Sequence, residues 1–251
     1  MSDSPSATLV QNDRRLLRIA VMMLAICLPT LVTWVYFTLL ASSSASVQKT
    51  AFSIGKSLQF SLPLIGLMLL GFWQVRFSAG ASQIQWKASI LLGLVSGLAI
   101  GLSIYCVNRF VLMPYGLMDA PAVEIGEKLN EFGLNSLSLF IFMGVGYATV
   151  HSLMEEYYWR WFVFGNLANI LSIRNAVLLS AVGFMLHHVL VLARYFGWGS
   201  PLTYLGSAGV AVGGVIWALI YYRTGTLLGC WISHAIVDAA IFIVGYELAF
   251  R

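Results

Sequence analysis

Long apolar stretches separated by short polar ones organise the whole chain. Uncharged runs extend from Ile19 to Gln48, Ser57 to Val75, Ala88 to Asn108, Phe132 to Met154, Asn175 to Ala193 and Tyr195 to Tyr222. Each can hold the roughly 20 apolar residues that cross a hydrocarbon core as a helix. Thr226 to Phe250 is a further, interrupted run. The pattern predicts an all-α polytopic transmembrane bundle of about seven helices, because only helices and closed barrels satisfy their backbone polar groups in lipid. Trp161 to Ser172 is apolar but too short to cross alone, so this eighth candidate reads as a helix extension or a re-entrant segment. Short loops predict a single transmembrane domain over 14–251, preceded by a disordered polar tail over 1–13.

Composition agrees with the pattern: 59% of residues are hydrophobic, 10% are charged, and mean hydropathy is +0.85. Soluble domains carry about 25% charged residues. Arg14, Arg15 and Arg18 precede the first run and, by the positive-inside rule, place the amino terminus in the cytoplasm. Arg76, Lys87, Arg160, Arg174 and Arg223 then fall on or near that side, and the acidic loop from Pro114 to Asn135 falls outside. Lys49, Lys56 and Arg109 go against this orientation. The net charge of +4 is scattered along loop edges and forms no nucleic-acid patch. Cys27, Cys106 and Cys230 lie inside predicted spans without CxxC spacing and read as packing residues. Gly93, Gly97 and Gly101 form a GxxxGxxxG series, and Gly209 and Gly213 repeat the spacing. Such stripes let helices approach closely, either within one bundle or between two copies in a homo-oligomer.

The chemistry lies where a membrane span should hold none, since a central charge costs roughly 2.5 to 3.5 kcal/mol on insertion scales. Three segments break that rule: His151-Ser-Leu-Met-Glu155-Glu156-Tyr-Tyr-Trp-Arg160, Phe184-Met-Leu-His187-His188 and His234-Ala-Ile-Val-Asp238. All 4 histidines of the chain fall in them. Residues four apart share a helix face, so Glu156 pairs with Arg160, His151 with Glu155, and His234 with Asp238. Glu155 points about 100° away from Glu156. One carboxylate is thus neutralised by its own helix while the other is free for chemistry. At 1.5 Å per residue, Glu155, His188 and His234 come to about 15 to 20 Å from one membrane face, so the three segments can meet at one depth.

These residues resemble the intramembrane endopeptidases that include the type II CAAX prenyl proteases and the bacterial Abi, or bacteriocin-processing (CPBP), proteins. That family's pattern is EExxxR, FxxxH and HxxxN or HxxxD, matched in order by Glu155-Glu156-xxx-Arg160, Phe184-xxx-His188 and His234-xxx-Asp238. The resemblance covers roughly Ser136 to Ala240, and the half through Leu112 resembles no named family. It implies a hydrolase that cleaves a membrane-tethered or lipidated peptide. Glu155 would be the base that activates water, helped by His188, with His234 and Asp238 stabilising the oxyanion and Glu156 and Arg160 structural. It leaves a glutamate-dependent and a metal-dependent form open; in the latter, Glu155, His188 and His234 would hold a divalent metal such as zinc with a position left for water.

Two positions depart from the family pattern. Trp161 stands where glycine is common, and Asp238 stands where asparagine is frequent. An ionised aspartate only accepts hydrogen bonds, so Asp238 must be protonated, orient His234 or bind a metal. His187 reads as a histidine bonded within the bundle, and His151 either orients Glu155 or fills a packing gap. Other readings are a transporter or proton relay, polar contacts that only join helices, and a catalytically silent scaffold or immunity member of the same family. Membrane lipids and a membrane-associated peptide are the expected partners. The compact, short-looped chain suits a bacterial inner membrane.

Overall fold

The computed structural model describes residues 5–70 and 82–250. The chain runs through α1 (Pro5–Trp34, extended by a π-helical turn, Val35–Leu39), α2 (Ala45–Leu70), α3 (Gln83–Leu112), α4 (Asp119–Phe132), α5 (Leu137–Ile170), α6 (Ile173–Phe196), α7 (Pro201–Thr224) and α8 (Leu228–Ala249), with no strand among the described residues. The all-α bundle expected from the apolar pattern is therefore the fold. Six of these helices are long and apolar enough to cross a membrane: α1, α3, α5, α6, α7 and α8. The chain is an integral membrane protein.

Two differences from the sequence reading have clear causes. The second span was expected over Ser57–Val75, but α2 begins at Ala45 and takes Lys49 and Lys56 into the helix; its expected end and Arg76 lie outside the described residues. α2 is not among the six, which are counted among the described residues. The acidic loop contains α4, whose amphipathic pattern buries Pro121 and Leu129. Gly133 ends α4 in the left-handed region at φ 71°, where a Cβ would be strained. Residues 1–4 of the expected tail are outside the described residues, and α1 begins at Pro5. Trp161 to Ser172 resolves as a helix extension, because α5 continues unbroken to Ile170.

Local signals set several helix starts. Ser82, Ser136, Ser172 and Ser200 each accept a backbone N–H of the first turn, which satisfies a donor the helix leaves unpaired. Pro29 and Pro63 lie within α1 and α2 without ending them.

The glycine series of α3 is a contact within the bundle. A Cβ on Gly93 would overlap the Gly229 backbone, one on Gly229 would overlap the Ser89 carbonyl, and one on Gly97 would stand 2.9 Å from the Ser233 Cα. Small residues therefore let α3 and α8 meet backbone to backbone. Polar groups lock the contact: Ser89 Oγ accepts the Gly229 N–H at 2.9 Å, and Ser96 and Ser233 hydroxyls lie 2.9 Å apart. Gly209, by contrast, faces open space. Cys230 packs in the core, whereas Cys27 and Cys106 lie on the outer surface of the bundle, so the packing reading holds for Cys230 alone.

Candidate functional site

Helix α5 carries the first motif through the middle of the bundle. Every residue from Tyr158 to Phe164 is buried, as expected of a helix enclosed on all sides. Two π-helical stretches, Tyr147–His151 and Tyr157–Phe164, bracket the α-helical Ser152–Glu156. Wide turns of this kind shift the register of the residues that follow and recur at functional sites.

Glu155 and Glu156 are both buried, at 4% and 0% exposure, yet their surroundings differ. Glu156 faces Arg160 and His234. Its Oε2 lies 3.1 Å from Arg160 Nε, one turn on, and its Oε1 accepts a hydrogen bond from His234 Nδ1 at 2.8 Å. The Arg160 guanidinium lies over the rings of Phe184 and Trp217, at 4.8 and 4.9 Å. A buried arginine is thereby compensated by one carboxylate and two π faces.

Glu155 gathers a different set. Its Oε1 lies 3.3 Å from His151 Nε2, 3.6 Å from Lys56 Nζ and 3.8 Å from His187 Nε2, and its Oε2 lies 3.9 Å from His234 Nε2. Among the described residues, these four are the basic side chains within 4.0 Å of this carboxylate; His188 is not one of them. His188 Nδ1 donates to the Phe184 carbonyl at 2.9 Å, which leaves Nε2 as the acceptor of the neutral ring. His187, read from the sequence as a bonded bundle residue, is the member of the pair nearer Glu155. It also stacks on Trp159, with ring planes 7° apart.

α8 contributes the third motif. With Nδ1 turned to Glu156, His234 directs Nε2 towards Asp238 Oδ1 at 3.6 Å as well as towards Glu155. The His234 ring stacks on Trp217 at 4.2 Å and 16°. Trp217 in turn donates Nε1–H to Ser233 Oγ at 2.8 Å, so α7 fixes the rotation of α8. Phe184 sits at the centre of this arrangement at 1% exposure, its ring within 6 Å of those of Trp159, Trp217, His187, His188 and His234. Trp161 is buried and stacks on Tyr157 at 5.1 Å.

Lys56, Trp217 and Ser233 were not among the residues singled out in the sequence. Lys56 carried the one available signal, a cation inside an apolar helix far from either end.

An open groove of about 590 Å³ on the surface of the bundle lies beside this cluster. Phe60 of α2 and Leu139, Phe142, Met143 and Val150 of α5 make it apolar, and His151 and Tyr147 bring it next to Glu155. The side chains do not form a metal-binding set as placed. No group of three His, Cys, Asp or Glu among the described residues could hold an ion, and the Lys56 ammonium already stands beside Glu155.

The bundle and its interior cluster define an integral membrane protein with a buried carboxylate and imidazole centre. Residues 137–240 match the family described as type II CAAX prenyl endopeptidase Rce1-like. The match contains all three motifs. No curated protein and no solved structure matches the chain.

Proposed function

We propose that the protein is an intramembrane endopeptidase in which Glu155 activates water to hydrolyse a peptide bond of a membrane-associated or lipidated chain. The observation that carries this reading is the division of labour between the two glutamates. Glu156 is paired with Arg160 and His234, whereas Glu155 is enclosed by groups that hold or move protons. A positioned carboxylate of this kind acts as a general base.

In the proposed step, Glu155 takes a proton from water as the oxygen attacks the scissile carbonyl carbon. The carbonyl oxygen becomes the oxyanion of a tetrahedral intermediate. That proton, carried by Glu155 or by His188 Nε2, passes to the leaving nitrogen as the C–N bond breaks. His234, whose Nδ1–H is given to Glu156, donates from Nε2 to the oxyanion only as the imidazolium. Asp238 fits the part of orienting His234, because its Oδ1 lies on the Nε2 side of that ring. The open apolar groove next to His151 suits the hydrophobic part of the substrate. The site belongs to a multi-pass protein of a bacterial inner membrane with its amino terminus in the cytoplasm.

The test uses the full chain in detergent and a membrane-tethered fluorogenic peptide. Glu155→Gln is expected to lower cleavage by about 10²- to 10⁴-fold, the usual contribution of a general base, while the protein stays folded. Undiminished cleavage by this variant overturns the reading. Proton flux in proteoliposomes that depends on Glu155 but not on any peptide would instead identify a relay.

A further inference from the structure

Lys56 stands outside the three motifs and outside the segment that matches the family, yet it reaches the candidate base. It lies about 17 Å along α2 from Ala45, too far from the helix start to return its charge to water. Its side chain is 15% exposed. An ammonium in such a place needs a partner, and the carboxylate within reach is Glu155, at 3.6 Å from Nζ to Oε1.

The position of the ammonium is built from both sides. Phe52 and Phe60 flank Lys56 one turn before and one turn after on the same face of α2, with ring centroids 5.7 and 5.5 Å from Nζ. Phe60 is held in turn by α5, packing edge-on against Tyr158 at 6.4 Å and His151 at 6.2 Å. The lysine is therefore held between two rings, Phe60 packed against α5 and Phe52 against Tyr36 at 5.2 Å, which a flexible surface lysine would not be.

Charge balance requires it as well. The cluster contains three carboxylates, Glu155, Glu156 and Asp238, and its arginine is taken by Glu156. Without Lys56, Glu155 would face imidazoles and two other acids. With Lys56, His151 and His187 all on the Oε1 side, Oε2 is left towards His234.

We propose that Lys56 is the positioning residue of Glu155. It neutralises the carboxylate and fixes its rotation, so that the amino-terminal half of the chain completes a site whose motifs lie wholly in the other half. The proposal rests on the reading of Glu155 as the base. In the folded protein, α2 is thus part of the active centre and more than packing around it.

The experiment compares kcat, KM and thermal unfolding of the full chain in detergent for wild type, Lys56→Met, Lys56→Arg, Lys49→Met, Glu155→Gln and the Lys56→Met/Glu155→Gln double variant. Lys56→Met is expected to lower kcat by about 10²-fold, the effect of a misplaced reacting group, with KM within about twofold of wild type. Lys56→Arg should recover roughly tenfold of that loss, since the charge is restored, and Lys49→Met should match wild type. The double variant should unfold at a higher temperature than Lys56→Met alone, because removing both partners leaves no unpaired buried charge.

A kcat for Lys56→Met within about threefold of wild type while Glu155→Gln is inactive would overturn the role of Lys56 and leave that of Glu155 intact. Loss confined to KM, or an arginine variant no better than methionine, would also overturn it. Should Lys56→Met fail to fold, recovery of folding in the double variant supports the pairing and failure to recover refutes it. Cleavage by Glu155→Gln would remove the base itself, a result distinct from all of these.

Discussion

Tyr158 donates its hydroxyl to the backbone carbonyl of Ala25 at 2.6 Å. Ala25 is four residues before Pro29, which has no N–H to offer that carbonyl inside α1. The proline thus opens one backbone acceptor, and a tyrosine two positions beyond Glu156 fills it. The contact docks the first helix on the motif helix.

Tyr158→Phe should therefore strand a buried carbonyl and destabilise the protein by about 1 to 3 kcal/mol. Chemical unfolding in detergent measures this. A Pro29→Ala change on the same background should recover part of the loss, because the helix then supplies its own donor.

The two glutamates should separate activity from stability. Glu156→Gln removes the partner of a buried arginine and weakens the tie to His234, so a loss of about 3 to 5 kcal/mol is expected, as for breaking other buried ion pairs. Glu155→Gln should cost activity first. Unfolding curves read beside peptide cleavage check the contrast.

The adjacent histidines should part in the same way. His187 is 4% exposed and stacked on Trp159, so His187→Ala should lower the unfolding temperature markedly. His188 is less enclosed, and His188→Ala should reduce kcat by about 10²-fold with little change in unfolding. Equal melting of the two variants would contradict this division.

Gly229→Ala should push α8 from α3, since the added carbon overlaps the Ser89 carbonyl. A cost of about 1 to 3 kcal/mol is expected from overpacking, together with lower turnover, because α8 carries His234 and Asp238. Gly209→Ala, facing open space, should be neutral in both measurements.

Chelators offer a last check. With no three-ligand set in the cluster, cleavage should persist in a strong chelator. Loss of cleavage that zinc restores would reassign Glu155 and the histidines around it as ligands.

Much of this was legible along the chain. Apolar runs long enough to span lipid fix helix positions locally, and the i, i+4 rule pairs His151 with Glu155, Glu156 with Arg160 and His234 with Asp238 before any fold is known. The level at which the three motifs meet follows from helical rise alone. Helix α4 was missed because its polar face hid the small buried side, and α2 was misplaced because a lysine inside a helix looks like the end of one.

What the sequence by itself determined is the class of structure and the level at which the polar residues of its three motifs gather, since these depend on composition and on neighbours within one helix. Tertiary structure alone decided which groups touch. The rotation of α6 places His187 rather than His188 near Glu155, α8 brings His234 onto Glu156, and α2 delivers Lys56 from the other half of the chain. Those outcomes depend on how helices turn against one another, set by glycine contacts, an interhelical serine pair and stacked rings distant in sequence. No local pattern encodes such angles.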